Sequence, residues 1–212
     1  MGFQVLVDLV GAMLVGGIFF LSLLTFNAQN SETKQTYRDE ITSQANLMSV
    51  VEELEASFRT IGYCKVRSAM SSPVVIDAGA DYITFQTDFA TSGTGEGDGA
   101  PDTISYRLGH EVVSAGNPRI RMLYRKEGGG AEIGANLGIT TFDLQYVKFD
   151  GDTLSRPVAA TRLKEIAAVQ VTVEVVNLYP YRSYVDVDSL LSVRSDWKQL
   201  RFEIKSFGKG AI

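Results

Sequence analysis

The feature that most limits how this chain can fold is an uncharged run, residues 9–26, close to its beginning. With the mostly apolar residues 3–7 in front of it, the run is about as long as the ~20 residues that a helix needs to cross a bilayer. Asp8 is the only charged residue within 3–26. We therefore predict a retained membrane-spanning helix over residues 3–26.

A secretory signal and a buried core helix both fit this run less well. A cleaved secretory signal has a basic start, a shorter apolar centre and a small-residue cleavage site. Here no Lys or Arg precedes the run, and no A-x-A-like site follows it. A helix buried in a soluble core is also disfavoured, because the run is apolar on every face and lies at a terminus.

The composition indicates a folded domain beyond the membrane helix. Of 212 residues, 21% are charged, and the net charge of −5 gives no basic surface for nucleic acid. The remainder of the chain is long enough for one compact domain with a core of its own. Cys64 is the only cysteine, which excludes an intramolecular disulfide and favours a buried structural thiol.

A second helical pattern follows the apolar run without a break. Apolar residues recur at helical spacing in the segment 27–61, on one side of the predicted helix. They are Ile41, Ala45, Leu47, Met48, Val51, Leu54, Phe58 and Ile61. No proline occurs before Pro73, and Gly62 supplies a stop. We predict one helix from about Phe3 to Ile61, whose second half lies against the rest of the chain.

The rest of the chain has the pattern of antiparallel strands. The predicted strands are residues 82–87, 103–108, 119–125, 140–149, 167–176 and 199–206. Residues 169–175 alternate most clearly, with Val on one face and Gln, Thr and Glu on the other. Asp150-Gly151-Asp152 indicates a hairpin turn, and Gly128–Gly130 a mobile loop. Residues 162–166 form a short helical or extended approach to the valine strand.

An α+β fold follows, because a helix with one apolar face and a sheet with one apolar face can cover each other. We predict three parts: a membrane-spanning helix half at 1–26, an amphipathic helix half at 27–62 and an antiparallel β-rich globular domain at 63–212. The apolar first half of the helix is left uncovered. It is stable only in lipid or in a bundle of like helices, which suggests assembly.

The beginning of the chain carries a resemblance to a known family. It combines the pair Gly2-Phe3, the long apolar run and the unbroken passage into an amphipathic helix ending near Gly62. In these features the chain resembles the type IV pilin and pseudopilin superfamily. The downstream pattern is similar to PilW-like minor pilins and GspJ-like pseudopilins. The matching segments are an aspartate-rich turn before a strand (98–108), an arginine-bearing strand (119–125), a Tyr/Phe strand (142–151) and an apolar strand (163–175).

The resemblance implies a pilin-like fold and specific roles for residues near the beginning. A prepilin peptidase would cut after Gly2, and the exposed Phe3 would be N-methylated, although only Met1 precedes Gly2 here, where the family has a basic residue. The family's glutamate at the fifth mature position corresponds to Val7, and Asp8 lies one residue later. Either Asp8 pairs with the terminal amine of a neighbouring subunit, or it lies in the lipid headgroup region. Ala12 and Gly16 form a small-xxx-small pair that permits close helix contact.

Other candidate chemistry is sparse. The acidic side chains of Glu96, Asp98 and Asp102 are weak calcium candidates, since their loop is also typical of a flexible hairpin tip. The loop 93–99 lacks the Lys and Ser/Thr of a phosphate-binding loop. His110, the only histidine, is expected in a solvated turn between strands. The aromatic residues of the C-terminal part suggest a partner surface or core packing. They are Tyr179, Tyr181, Tyr184 and Trp197.

Two functions fit these observations, and neither is enzymatic or needs a cofactor. The first is a minor pilin or pseudopilin in a type IV pilus or type II secretion-like filament. It would start in the bacterial inner membrane as a single-pass protein with a periplasmic β domain, and its partners would be other pilin subunits and prepilin peptidase. The second is a membrane-anchored β domain for binding or sensing that does not polymerise. A third, an anchored hydrolase, has the least support, because no acid/base or metal cluster is visible.

Overall fold

A long helix is followed by a β-sheet in the computed structural model, which describes residues 2–89, 97–112, 119–176 and 196–204. Helix α1 comprises Gly2–Phe58. The strands are β1 (Val75–Ala78), β2 (Tyr82–Thr87), β3 (Asp102–Glu111), β4 (Arg121–Glu127), β5 (Ile133–Lys148), β6 (Ile166–Val175) and β7 (Asp196–Glu203). Short 3-10 helices lie at Arg67–Ala69 and Ala160–Glu165. The arrangement confirms the α+β fold class.

The chain divides into two compact units. The described part of the first unit is residues 2–41, all within α1. The second unit contains residues 42–58 of α1 and all seven strands. Residues 2–41 contain no Pro to interrupt a helix, and the run 9–26 within them is apolar on every face. The strand segments of the second unit instead alternate polar and apolar residues and are divided by turns.

The seven strands form one antiparallel sheet in the order β1-β2-β3-β4-β5-β6-β7, so that each strand pairs with the next one along the chain. In β6 the alternation predicted from sequence is observed: Val169, Val171 and Val173 are buried, while Gln170 and Thr172 on the other face are half-buried. One face of the sheet is therefore apolar and faces the core.

The C-terminal part of α1 covers that apolar face. Leu54 and Phe58 are completely buried in the core of the second unit. The ring of Phe58 lies 5.4 Å from the ring of Phe85 in β2 and 5.3 Å from that of Phe202 in β7, between centroids. A third ring, Tyr106 of β3, lies 5.6 Å from Phe58. One helical side chain thus contacts β2, β3 and the edge strand β7, and this places the core at Phe58.

The long helix was predicted well, but the extent of its covered face was not. The observed bounds, Gly2–Phe58, are close to the predicted Phe3–Ile61. Val51, Leu54, Phe58 and Ile61 are buried as predicted, and Leu47 packs partly buried against the core. Ile41 and Met48, expected on the covered face, are 66% and 63% exposed, and Ala45 is exposed too. The prediction for these three was wrong, because their side chains lie on an exposed side of α1.

The strand predictions differ from the structure mainly at strand ends. All six predicted strands are present, and β1, a short edge strand, was missed. Strand β5 begins at Ile133 rather than 140 and continues past Gly138. Gly138 has a φ of 75°, and a Cβ there would lie 2.1 Å from the carbonyl oxygen of Val176, so only glycine fits this bulge. Gly128–Gly130 lies in the β4–β5 turn, and 160–165 is the second 3-10 helix.

Candidate assembly surface

The N-terminal part of α1 has an uncovered apolar surface. Every residue from Gly2 to Asn27 is exposed, and Phe3 is 83% exposed. Within the described residues, α1 is the helix that is long and apolar enough to cross a membrane. In water such a surface would be unfavourable, at about 25 cal/mol per Å² of apolar area. The surface therefore requires a lipid or protein environment.

The polar side chains within this stretch are satisfied inside the helix. Between Leu9 and Phe26 the residues with hydrogen-bonding side chains are Ser22 and Thr25. The Ser22 hydroxyl donates to the carbonyl oxygen of Ile18 at 2.9 Å, and the Thr25 hydroxyl to that of Leu21 at 3.0 Å. Hydroxyl groups bonded to the preceding turn need no partner outside the helix. The stretch can thus lie in hydrocarbon without a lost hydrogen bond.

The candidate assembly residues lie on one face of this helix. Asp8, Ala12 and Gly16 follow one another at a spacing of four residues, which places neighbours on the same side of an α-helix. No atom lies within 4 Å of the position that a Cβ would take at Gly16. Asp8 is exposed and has no hydrogen bond or ion pair with any described residue. The face is therefore open, with a carboxylate near its N-terminal end.

The residues predicted for peptidase cleavage and N-methylation lie at the beginning of the same helix. Gly2 and Phe3 form its first described residues, and both are exposed. Five positions separate Phe3 from Asp8, which corresponds to about 140° around a helix with 3.6 residues per turn. Phe3 and Asp8 thus lie on different sides of the helix, and only Asp8 shares a face with Ala12 and Gly16.

Polar contacts attach the covered part of α1 to the sheet within the second unit. The hydroxyl group of Tyr106 in β3 donates to Oε1 of Glu53 at 3.0 Å and lies 2.7 Å from Oγ of Ser57. Nη1 of Arg125 in β4 lies 3.2 Å from the same Glu53 oxygen. Burial raises the pKa of the Tyr106 phenol, so that it stays protonated and keeps its donor. These contacts fix the helix on the sheet, and sequence periodicity gave no sign of them.

The calcium candidates are only partly described. Glu96 lies outside the described residues. Oδ1 of Asp98 accepts a bond from the backbone N–H of Ala100 at 2.8 Å. Burial, followed by the charge of Asp98, raises the pKa of the Asp102 carboxyl. Within the described ranges, no group of three or more His, Cys, Asp or Glu residues is placed to hold a metal ion. Calcium binding that includes Glu96 stays a prediction.

The remaining candidate residues have structural positions. Cys64 is buried, and its Sγ donates to the carbonyl oxygen of Val66 at 3.2 Å. Burial raises the pKa of this thiol, which makes it a poor nucleophile. His110 is exposed as expected, but it lies within β3 rather than in a turn, because β3 continues to Glu111. Only the backbone of Trp197 is described, in β7. Tyr179, Tyr181 and Tyr184 lie outside the described residues.

Comparison with known proteins finds similarity to a solved structure but no match to a family model or a curated protein. Among solved structures, the chain is similar to a type IV-like pilin from Thermus thermophilus. The two share 12% sequence identity with a TM-score of 0.45, and the match covers 76% of this chain and 96% of that one.

Proposed function

We propose that this chain is a pilin-like structural subunit that assembles with other subunits through the N-terminal part of α1. The observation that carries this proposal is the complete exposure of residues 2–27 next to a part of the same helix that is buried against a sheet. The exposed part enters the bacterial inner membrane first and then a bundle of like helices, so its role is packing rather than catalysis. The β domain is on the periplasmic side and lies on the outside of the filament.

The specific residues have the roles that the resemblance implies. Prepilin peptidase cleaves after Gly2, and Phe3 becomes the methylated N-terminus. Asp8, exposed and without a described partner, pairs with the terminal amine of a neighbouring subunit. A carboxylate in an apolar segment is costly without such a partner. The subunit belongs to a minor pilin or pseudopilin class of a type IV pilus or type II secretion-like filament.

The decisive experiment separates assembly from anchoring. In an anchored domain that does not polymerise, residues 9–26 need only be apolar, so a Leu/Ala sequence of the same length is expected to preserve function. In an assembling subunit the same replacement keeps membrane insertion but abolishes subunit cross-linking. Carbonate extraction measures insertion, and cross-linking in native membranes measures assembly. Equal cross-linking by both chains would contradict the proposal.

A single substitution tests the proposed helix contact more directly. Gly16→Leu adds a side chain where the isolated chain has open space, so insertion and folding should not change. In a close helix bundle the same side chain prevents approach, and we expect at least a severalfold loss of cross-linked subunits. Val15→Leu, next to it and already large, is the matched control. If Gly16→Leu cross-links as well as Val15→Leu, this face does not form the contact.

A further inference from the structure

An apolar hollow lies in the second unit, and none of its lining residues belongs to α1. Its volume is about 730 Å³, and residues from four separate segments line it: 67–68 with 70–75, Phe149, 163–164 with Ile166, and Ile204. The floor is apolar, with Val75, Leu163 and Ile166 among its side chains. A concave apolar surface of this size is typical of a binding site.

The rim of this hollow is basic. Arg67 and Lys164 both line it and are exposed, and no carboxylate is among the lining residues. Lys164 has no ion pair with any residue in the described part of the chain. An acidic and apolar partner would therefore match both the floor and the rim of the hollow.

The turn after β5 has this acidic and apolar character. Phe149, which forms one edge of the hollow, is 75% exposed, an unusual position for a phenylalanine. Asp150 and Asp152 follow it, with side chains 59% and 76% exposed. Both carboxylates contact the single ammonium group of Lys148. Because two negative charges face one positive charge, the turn has a net negative charge.

The turn is held in place by its own hydrogen bonds. The backbone N–H of Lys148 donates to the carbonyl oxygen of Asp152 at 2.8 Å, and that of Gly151 to Lys148 at 3.1 Å. The N–H of Asp152 also donates to Oδ1 of Asp150 at 3.0 Å. A fixed turn loses little conformational entropy on binding, which favours its use as a contact.

We propose that this turn and the hollow form a contact between two copies of the chain, in which Phe149 of each copy enters the hollow of the other. The acidic side chains of one turn then face Lys164 of the partner. Because the aromatic side chain and the hollow are adjacent on one surface, the contact is reciprocal and closes into a pair. A second hollow of about 480 Å³, beside residues 49–53 of α1, is lined by two carboxylates, Glu52 and Glu53, and by Arg125, which contacts Glu53; its excess of negative charge does not match an acidic turn.

Disulfide cross-linking of the full chain in phosphatidylcholine vesicles tests this contact. One population carries Thr153→Cys beside the turn, and a second, with a different tag, carries Ser68→Cys in the wall of the hollow. Both positions are exposed, and the native Cys64 is buried. Mixed populations are expected to give a disulfide between the two tags, at a yield well above that of chains that contain Cys64 alone.

Substitutions then identify the contact. Phe149→Ser should lower the mixed-disulfide yield about tenfold, as expected for a central aromatic residue of an interface. Ile133→Ser is the matched control, because Ile133 is also 74% exposed but lies on the β4–β5 hairpin. Lys164→Glu should lower the yield, and Asp152→Lys in the partner population should restore it.

Three results would overturn the proposal. They are a mixed disulfide no stronger than in the Cys64-only control, a yield that Phe149→Ser does not change, and an equal loss with Ile133→Ser. All substitutions are at exposed positions, and the charge-reversal pair gives an answer that does not depend on Phe149. Because Gly16→Leu acts on the helix and Phe149→Ser on the β domain, failure of this contact is distinguishable from failure of helix-driven assembly.

Discussion

The two ends of α1 show how one helix can be built for two different environments. Residues 2–27 are exposed without exception, whereas Val50, Val51, Leu54 and Phe58 are buried. The difference is in the pattern of side chains rather than in helix formation, since neither part contains Pro. An apolar residue in the C-terminal part contributes to folding of the β domain, whereas one in the N-terminal part is exposed and makes no contribution to that core. The same substitution should therefore change the stability of the β domain when it is made in the buried part of α1, but not when it is made in the exposed part.

The largest expected difference is between two phenylalanines of the same helix. Phe58 contacts three aromatic rings of the core, so Phe58→Ala should destabilise the β domain by about 3–5 kcal/mol. Phe20 is exposed, and Phe20→Ala should leave that stability unchanged. Urea unfolding in detergent, followed by tryptophan fluorescence, measures both. A loss of domain stability with Phe20→Ala would remove the distinction between the two parts.

A smaller effect is expected from the polar contacts of the covered part. Tyr106→Phe removes one hydroxyl group and leaves the buried Ser57 hydroxyl without this partner. The expected loss is about 1–2 kcal/mol of unfolding free energy. Tyr124→Phe, on the half-exposed face of β4, is the control and should change little. If both variants unfold alike, the contact of Tyr106 with α1 does not stabilise the helix on the sheet.

The smallest effect concerns two aspartates, one in each region. Burial raises the pKa of Asp102, so the folded state binds its proton more tightly than the unfolded state. The ionised carboxylate therefore lowers stability, fully above its folded pKa and not at all below its unfolded pKa near 3.8. Asp102→Asn should raise the Tm slightly at pH 7, with the gain disappearing as the pH falls below 4. Asp8→Asn, in the exposed part of α1, is the control at pH 7 and should leave the Tm unchanged, because Asp8 is not part of the core. A gain that stays constant across pH would exclude the partly buried Asp102 carboxylate as its cause.

Much of the fold could be predicted because local patterns determine it. The absence of Pro and the spacing of apolar residues predicted α1 to within a few residues, and the alternation in β6 predicted its buried face. What failed depends on the tertiary structure. The helical period identified Ile41 and Met48 as apolar but not that their side chains would be exposed. Strand β1, with four residues, is too short for alternation to identify.

The candidate sites also divide into one that local spacing could predict and one that depends on the tertiary structure. That Asp8, Ala12 and Gly16 share one face of α1 follows from spacing alone, because neighbours on a helix surface are close in sequence. The hollow beside Phe149 could not be predicted, since its walls come from segments that are far apart along the chain. A sequence pattern shows that Phe149 is apolar next to two aspartates, but only the folded hairpin shows that its ring is exposed.

The contact between Phe58 and Phe202 has a consequence for synthesis of the chain. Phe58 is made early and Phe202 late, and their rings lie 5.3 Å apart in the finished core. Until the ribosome has added β7, strand β6 lacks its pairing partner at the edge of the sheet, and Phe58 lacks one of its three aromatic contacts. Closure of the domain therefore waits until β7 has been translated, long after α1 is complete.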